Sequence, residues 1–151
     1  MTPELKQYLK QHKIDFTTIK HSPAYTASQI AQAAHVPGRW LAKVVVVKLD
    51  GTFAMAVLPA SHRLDLAEIK QQSKAKSVEI AHEYEFKDKF PHCDLGAMPP
   101  VGELYDMDVY LADSLADQEW LAFNAGTHTE LIQVKAKDFL KWAHPKSLHH
   151  C

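Results

Sequence analysis

Apolar and polar residues repeat along this chain with two different periods, and the changes of period divide it into helices and strands. Leu5, Tyr8 and Leu9 recur at helical spacing directly after Thr2 and Pro3. Threonine before proline is a common helix start, because proline fits the first helical position. The pattern therefore predicts a short amphipathic helix at the beginning of the chain.

A second helix is predicted in "YTASQIAQAAHVPG". Thr26 and Gln29 have the spacing of a capping box, in which the side chain of each residue accepts a hydrogen bond from the backbone N–H of the other. Small and apolar residues then follow on one face, and Pro37-Gly38 is predicted to end the helix.

A β-hairpin is predicted by two β-rich runs, residues 41–49 and 52–58, that flank Asp50-Gly51, since Asp-Gly is a strong turn signal. Further strands are predicted at "IDFTTIKH", "SVEIA", "DVYLA", "EWLAFN" and "ELIQVK", and further helices at "LDLAEIKQQ", "HEYEFKDKF" and "KDFLKWA". Consecutive strands with irregularly placed helices predict an α+β fold with a mixed, largely antiparallel sheet.

Length and composition narrow the class of protein. The chain has 151 residues, of which 46% are hydrophobic, so one domain spanning residues 1–151 is expected, with a loosely ordered tail over residues 144–151. No apolar run reaches the roughly 20 residues that span a bilayer, and the polar N-terminus does not resemble a signal peptide. Cys93 and Cys151 give no disulfide framework, so we expect a cytoplasmic protein with no membrane partner.

The formal net charge is −1. This value excludes a strongly basic polyanion binder, so we expect no DNA partner, and any contact with RNA must be local.

Lys43 stands out in "WLAKVVVVKLDG". With a period of two, it shares a strand face with aliphatic residues only, where an unpaired ammonium would carry a desolvation cost. Lys48, near the turn, is easily solvated. From the sequence alone, Lys43 is either a strand-end lysine that reaches water or a cation at the wall of a pocket.

Two further stretches are candidates for binding. In "CDLGAMPPVGELYDMDVYL", Gly96 and Gly102 flank a proline pair, and the backbone N–H groups of such a stiff loop can point at an acyl oxygen. The possible donors are Gly96, Ala97, Met98, Val101 and Gly102. The loop can equally be a tight connection before a strand. In "FNAGTHTELIQV", Gly126 separates two strand-like runs, and His128 and Thr129 either face a cleft or belong to a hairpin.

Ten histidines raise the question of a metal. The chain contains neither H-E-x-x-H nor C-x-x-C, and adjacent residues of "HCD" point in opposite directions if the segment is extended. We therefore expect no metal and no cofactor. Signatures of serine hydrolases and of nucleotide binding are also absent from the sequence.

Together these stretches resemble the YbaK family, also called the prolyl-tRNA synthetase-associated editing-domain family. The resemblance runs from "HSPAYTASQIAQAAHVP" through "LAKVVVVKLDGTFAMAVLPASHRLDL" and "GAMPPVG" to "FNAGTHTELIQV". It implies an α+β fold that is partly barrel-like. It also implies a free-standing aminoacyl-tRNA deacylase, which hydrolyses the ester of a small amino acid wrongly attached to tRNA, with proline tRNA favoured.

The resemblance also implies roles for individual residues. The family's lysine corresponds to Lys43, and its Gly-x-x-x-Pro loop corresponds to Gly96 and Pro100, with Gly102 closing it. The catalytic candidates are therefore Lys43, Gly96, Ala97, Pro100 and Gly102. The substrate-binding candidates, which we expect to line the site of the tRNA acceptor end, are His21, Tyr25, Thr26, Ser28, Met98, Gly126, His128 and Thr129.

The resemblance also implies a partner, and two rival functions are weighed against it. The expected partner is the acceptor end of a mischarged tRNA, with a synthetase or an elongation factor as a further partner. One rival is a module of the same fold that binds a tRNA end or a nucleotide without turnover. The other is a metal-dependent hydrolase that uses some of the histidines.

Overall fold

The computed structural model describes residues 1–149, and for Ala27 it describes the backbone alone. Its helices are α1 (Pro3–Gln11), α2 (Ala27–Ala34), α3 (Leu66–Ser73), α4 (Glu83–Phe86), α5 (Gly102–Tyr105), α6 (Asp113–Ala116) and α7 (Ala136–Ala143). Its strands are β1 (Thr17–Lys20), β2 (Ala42–Leu49), β3 (Thr52–Pro59), β4 (Val78–Ile80), β5 (Asp108–Ala112), β6 (Trp120–Asn124), β7 (Glu130–Lys135) and β8 (Lys146–Leu148). Two 3₁₀ turns lie at Gly38–Trp40 and Lys87–Lys89.

The strands form two sheets, with the orders β4-β2-β3-β5-β8 and β1-β7-β6. The pairs β1/β7, β6/β7, β2/β3 and β2/β4 are antiparallel, and the pairs β3/β5 and β5/β8 are parallel. This confirms the α+β fold with a mixed, largely antiparallel arrangement. An isolated parallel bridge joins Leu41 to Ala122 of the other sheet. Over residues 1–149 the strands do not close into a barrel.

The predicted hairpin forms at β2 and β3, where Leu49 pairs with Thr52. Asp50 and Gly51 both have positive φ, 51° and 83°, as the tight turn of a two-residue hairpin requires. The Asp50 carboxylate also accepts hydrogen bonds from the backbone N–H groups of Lys76 and Ser77. It therefore joins the turn to the segment that precedes β4.

Side-chain caps fix where the first two helices begin. The Thr2 hydroxyl accepts from the backbone N–H of Leu5, and Thr26 and Gln29 form the predicted capping box of α2. α2 ends earlier than predicted, at Ala34, because His35 takes a left-handed conformation with φ 56°. Pro37-Gly38 lies in the connection that follows.

The C-terminal segment differs from its expected loose order, because it contains strand β8. Leu148 is fully buried, and the backbone N–H of His149 donates to Glu68 Oε1 at 2.7 Å. A three-residue strand is too short to show a period, so the sequence pattern misses it. The remainder of that tail, His150 and Cys151, lies outside the described residues. That residues 1–151 form one domain stays a prediction.

The segment "HEYEFKDKF" also differs from prediction. It forms only the single turn α4 and the following 3₁₀ turn, anchored by the buried Phe86 and Phe90. The single-turn helices α5 and α6 were not predicted either. Within residues 1–149, no helix is both long enough and apolar enough to cross a membrane.

Candidate functional site

A cavity of about 180 Å³ lies where the beginning of β2 approaches the end of β6. It is lined by Tyr25, Ile30, Leu41, Ala42, Lys43, Val44, Ala60, Gly96 and Asn124. Three of the candidates from the sequence, Lys43, Gly96 and Tyr25, therefore border one hollow although they are far apart in the chain.

Lys43 occupies the second position of β2, opposite Leu58 of β3, and its side chain is half-buried at the cavity wall. Lys48, on the same strand, lies outside this cavity and forms ion pairs with Glu85 and Glu79. The hydrogen bond to Glu85 raises the pKa of Lys48. Of the two readings of Lys43, the geometry agrees with the cation at a pocket wall.

The loop that contains Gly96 is held by its own hydrogen bonds. The N–H of Gly96 donates to Met98 Sδ at 3.3 Å, and the N–H of Ala97 donates to the Asp94 carbonyl at 3.0 Å. Ala97, Met98 and Pro100 are buried residues of this loop and do not line the cavity, so of the five catalytic candidates only Lys43 and Gly96 line it.

Gly102 lies apart from the cavity, at the start of α5. A Cβ atom at this position would overlap the carbonyl oxygen of Met107. The N–H of Met107 also donates to the Gly102 carbonyl at 3.0 Å. Glycine is therefore needed here for close backbone packing.

Gly126 connects the Gly96 loop to the rest of the molecule. Its N–H donates to the Ala97 carbonyl at 2.9 Å, and its carbonyl accepts from the N–H of Asp94 at 2.8 Å. Its φ is 96°, and a Cβ atom there would overlap Cγ2 of Thr2. Gly126, a substrate-binding candidate, thus holds the Gly96 loop in place through two backbone hydrogen bonds and does not line the cavity.

The model of the aminoacyl-tRNA editing domain matches residues 21–142, which is most of the chain and includes the whole cavity lining. The chain belongs to the aminoacyl-tRNA editing domain family. It is accordingly an aminoacyl-tRNA deacylase, a hydrolase of the ester bond between an amino acid and tRNA.

Known proteins similar to this editing domain agree with the assignment. The multifunctional Ser/Thr-tRNA deacylase ProXp-y of Escherichia coli K12 is 25% identical over 144 residues, which cover 91% of this chain and 85% of that protein. A solved structure assigned as a trans-editing enzyme for prolyl tRNA synthetase superposes with a TM-score of 0.79 at 19% identity, covering 97% of this chain and 96% of that one. The hypothetical protein APE2540 has the same fold, with a TM-score of 0.84 at 16% identity, covering 95% and 96%.

In this editing domain, His128 joins the Gly96 loop to the segment before α2. Its Nε2 lies 2.9 Å from the Leu95 carbonyl, and its ring is 4.7 Å from that of Tyr25. A carbonyl only accepts, so Nε2 is the donor in this contact. Nδ1 is buried and meets no partner among the described residues.

Of the remaining substrate-binding candidates, Tyr25 is the one that the cavity lining includes. Tyr25 is 68% exposed at the cavity. The N–H of His21 donates to the Thr129 carbonyl at 2.9 Å, and this bond ties the segment before α2 to the residue that precedes β7. Thr26 is occupied as the cap of α2, and Ser28 is exposed on that helix. Neither Thr26 nor Ser28 lines the cavity.

Asn124 lines the cavity but was not predicted. It is the last residue of β6 and is only 8% exposed, and its Oδ1 is buried without a partner in the part of the chain that the structure describes. The available signal was its place in "EWLAFN", where an amide ends a strand that is otherwise largely apolar. The parallel bridge between Leu41 and Ala122 brings Asn124 near Lys43, since each lies two residues beyond the bridged pair.

A larger cavity of about 530 Å³ lies elsewhere, between the ends of α1 and α7, and contains none of the candidate residues. Among residues 1–149, no group of three or more His, Cys, Asp or Glu side chains is arranged to hold a metal ion. The "HCD" residues turn to different partners, since His92 pairs with Glu4 at 2.7 Å and Cys93 lies 3.5 Å from the Tyr105 hydroxyl.

Proposed function

We propose that this editing domain acts in trans on tRNA that carries a wrong, small amino acid, with seryl and threonyl esters as its substrates and proline tRNA as one of its carriers. The observation that carries the proposal is the size and lining of the Lys43 cavity. At about 180 Å³ it is smaller than the roughly 300–1,000 Å³ of sites that enclose drug-sized ligands. It suits a small acyl group and excludes a bulky one.

The names of two similar proteins support the details. One is a Ser/Thr-tRNA deacylase, and the other is assigned as a trans-editing enzyme for prolyl tRNA synthetase. This chain covers 85% of the former protein and 96% of the latter, so neither has a large part that this chain lacks.

In the proposed mechanism, Lys43 binds the phosphate or the ribose of the terminal adenosine. A lysine ammonium donates hydrogen bonds and accepts none at neutral pH, so it serves for binding and electrostatic stabilisation and not as a general base. Its half-buried setting strengthens this attraction, because a lower dielectric screens the charges less.

The backbone N–H of Gly96 stabilises the carbonyl oxygen of the ester as it becomes an oxyanion. In the structure this N–H donates to the sulfur of Met98, and a thioether is a weak acceptor. An oxyanion therefore displaces the sulfur at little cost. Water attacks the carbonyl carbon, the ester C–O bond breaks, and the tRNA oxygen leaves as a hydroxyl after taking up the proton that the attacking water gives up. The family resemblance implies that a hydroxyl of the terminal adenosine helps to position this water, so no protein nucleophile is needed.

The site of action and the partners are part of the same proposal. The protein works in the cytoplasm, where charged tRNA is used. A net charge of −1 favours a weak grip on the tRNA body, since affinity for nucleic acid depends on neutralising phosphates. A synthetase or an elongation factor that holds the same tRNA raises the local substrate concentration.

The test is deacylation of a panel of alanyl-, seryl-, threonyl- and cysteinyl-tRNA on proline tRNA and on one other tRNA. Lys43→Ala is expected to lower kcat/KM by roughly 100-fold or more, as for loss of one transition-state contact. Lys48→Ala is the matched control on the same strand, and it is expected to change kcat/KM by less than about threefold because Lys48 lies outside the cavity.

Hydrolysis that survives Lys43→Ala within about threefold would contradict the role of Lys43. Binding of the panel without turnover by the unaltered protein would instead favour the non-catalytic module. Equal hydrolysis of all tRNA carriers would remove proline tRNA from the proposal while leaving the amino-acid preference in place.

A further inference from the structure

Asn124 places a buried amide in the lining of the editing cavity. Its residue is more than nine-tenths buried, and Oδ1 meets no hydrogen-bond partner among residues 1–149. Buried polar atoms in proteins are nearly always hydrogen-bonded, so an unpaired one beside a cavity is a position where a bound ligand atom or a water can supply the bond.

The surroundings of this amide explain which ligand atom reaches it. The cavity lining includes Ile30, Leu41 and Ala60, which belong to one apolar cluster with Ala122, the residue two positions before Asn124. The other polar side chains of the lining, Lys43 and Tyr25, are more exposed than Asn124. A bound ester that puts its phosphate and ribose at the exposed side therefore points its amino-acid side chain towards Asn124.

We propose that Asn124 is the specificity-determining residue of this cavity, and that its amide hydrogen-bonds the side-chain hydroxyl of a seryl or threonyl ester. This inference rests on the proposed function and adds to it a residue that recognises the amino-acid side chain of the substrate. A hydroxyl donates to Oδ1 and can also accept from the amide nitrogen, so it suits a primary amide in either orientation.

The same contact acts against alanine. An alanyl ester fits the volume but leaves the Asn124 amide unpaired and shut off from water, and a site built to bond a hydroxyl rejects the analogue without it for this reason. The cavity size would thus exclude large side chains, and Asn124 would distinguish hydroxylated from aliphatic small ones.

The experiment compares seryl- and alanyl-tRNA that share one tRNA, with the unaltered protein, Asn124→Leu and Asn124→Asp. Leucine keeps much of the volume and removes both polar atoms, whereas aspartate keeps the acceptor. We expect the unaltered protein to favour the seryl ester by about tenfold or more in kcat/KM, and Asn124→Leu to remove that preference. Asn124→Asp should keep a preference for serine.

A second measurement does not depend on turnover. Binding of 3′-seryl- and 3′-alanylamino-3′-deoxyadenosine, in which an amide replaces the ester, is measured by calorimetry for the same proteins. The ratio of the two Kd values should fall by about tenfold in Asn124→Leu. If Asn124→Leu does not fold in a thermal melt, Asn124→Ala takes its place.

Equal losses for seryl and alanyl substrates, or an unchanged ratio, would overturn the role of Asn124 while leaving the proposed deacylase intact. If no ester is hydrolysed but the Kd ratio still depends on Asn124, the proposed function is wrong, whereas recognition of the side-chain hydroxyl by Asn124 is supported. If neither analogue is distinguished, the inference is wrong.

Discussion

Replacing Gly126 with alanine should destabilise the protein because the new methyl group meets the side chain of Thr2. Gly126 has φ 96°, and its added Cβ atom would overlap Cγ2 of Thr2. Two costs therefore add. A left-handed conformation costs a non-glycine residue about 1–3 kcal/mol, and overpacking in a closed space costs about 1–3 kcal/mol more. We expect Gly126→Ala to lower the free energy of unfolding by about 2–6 kcal/mol.

The two costs can be separated within this chain. Thr2→Ser removes Cγ2 but keeps the hydroxyl that accepts from Leu5, so α1 retains its cap. In the Thr2→Ser background, Gly126→Ala should cost only the backbone part, about 1–3 kcal/mol. Gly51→Ala is a matched control, because Gly51 has φ 83° and open space around its added Cβ atom.

The assay is urea unfolding of the four proteins of this double-mutant cycle and of Gly51→Ala. Within the cycle, a coupling free energy of about 1 kcal/mol or more, with the double variant more stable than additivity predicts, supports the overlap. Coupling near zero would refute the reasoning. A Gly51→Ala variant as unstable as Gly126→Ala would refute it as well, because the backbone alone would then explain the whole loss.

Two further predictions concern titrating groups. The hydrogen bond to Asp113 raises the pKa of His149. The pair of protonated His149 with Asp113 therefore stabilises the folded protein fully below the ordinary pKa of 6.5, and this stabilisation is lost as pH rises through the higher folded-state pKa. The difference in unfolding free energy between the unaltered protein and His149→Gln should therefore shrink from about pH 6 to about pH 8, and a difference that grows over this range would contradict the assignment. Burial raises the pKa of Cys93, so in a Cys151→Ser background this thiol should react with a disulfide reagent more slowly than free cysteine at about pH 7.5. Reaction at the rate of free cysteine before urea is added would show that the thiol is not protected.

Elements with local signals were predicted well from the sequence. The cap of α1, the capping box of α2 and the Asp50-Gly51 turn each lie within a few residues, and all three form as expected. Their stabilising contacts are short in sequence, so pattern and residue type suffice to find them. The pieces that were missed, α5, α6 and β8, are three or four residues long and have no complete period to detect.

The site was only partly predictable, for a different reason. Lys43 was a candidate because a charge among aliphatic neighbours is conspicuous in any strand. Asn124 was not, because an amide at the end of a strand is common at the surface, and its burial depends on what packs over it. The distinction between Gly96, which lines the cavity, and Gly102, which packs on Met107, also depends on contacts that are distant in sequence.

The cavity depends on how the two sheets meet. Lys43 belongs to the five-stranded sheet and Asn124 to the three-stranded one, and the parallel bridge between Leu41 and Ala122 sets the offset between them. Because strands in parallel pairing run in the same direction, the two side chains follow the bridge together and reach one hollow. The Gly96 loop closes this hollow through its bonds to Gly126, which lies two residues beyond Asn124. The spacing between cation, amide and loop is therefore set by the pairing of backbone groups.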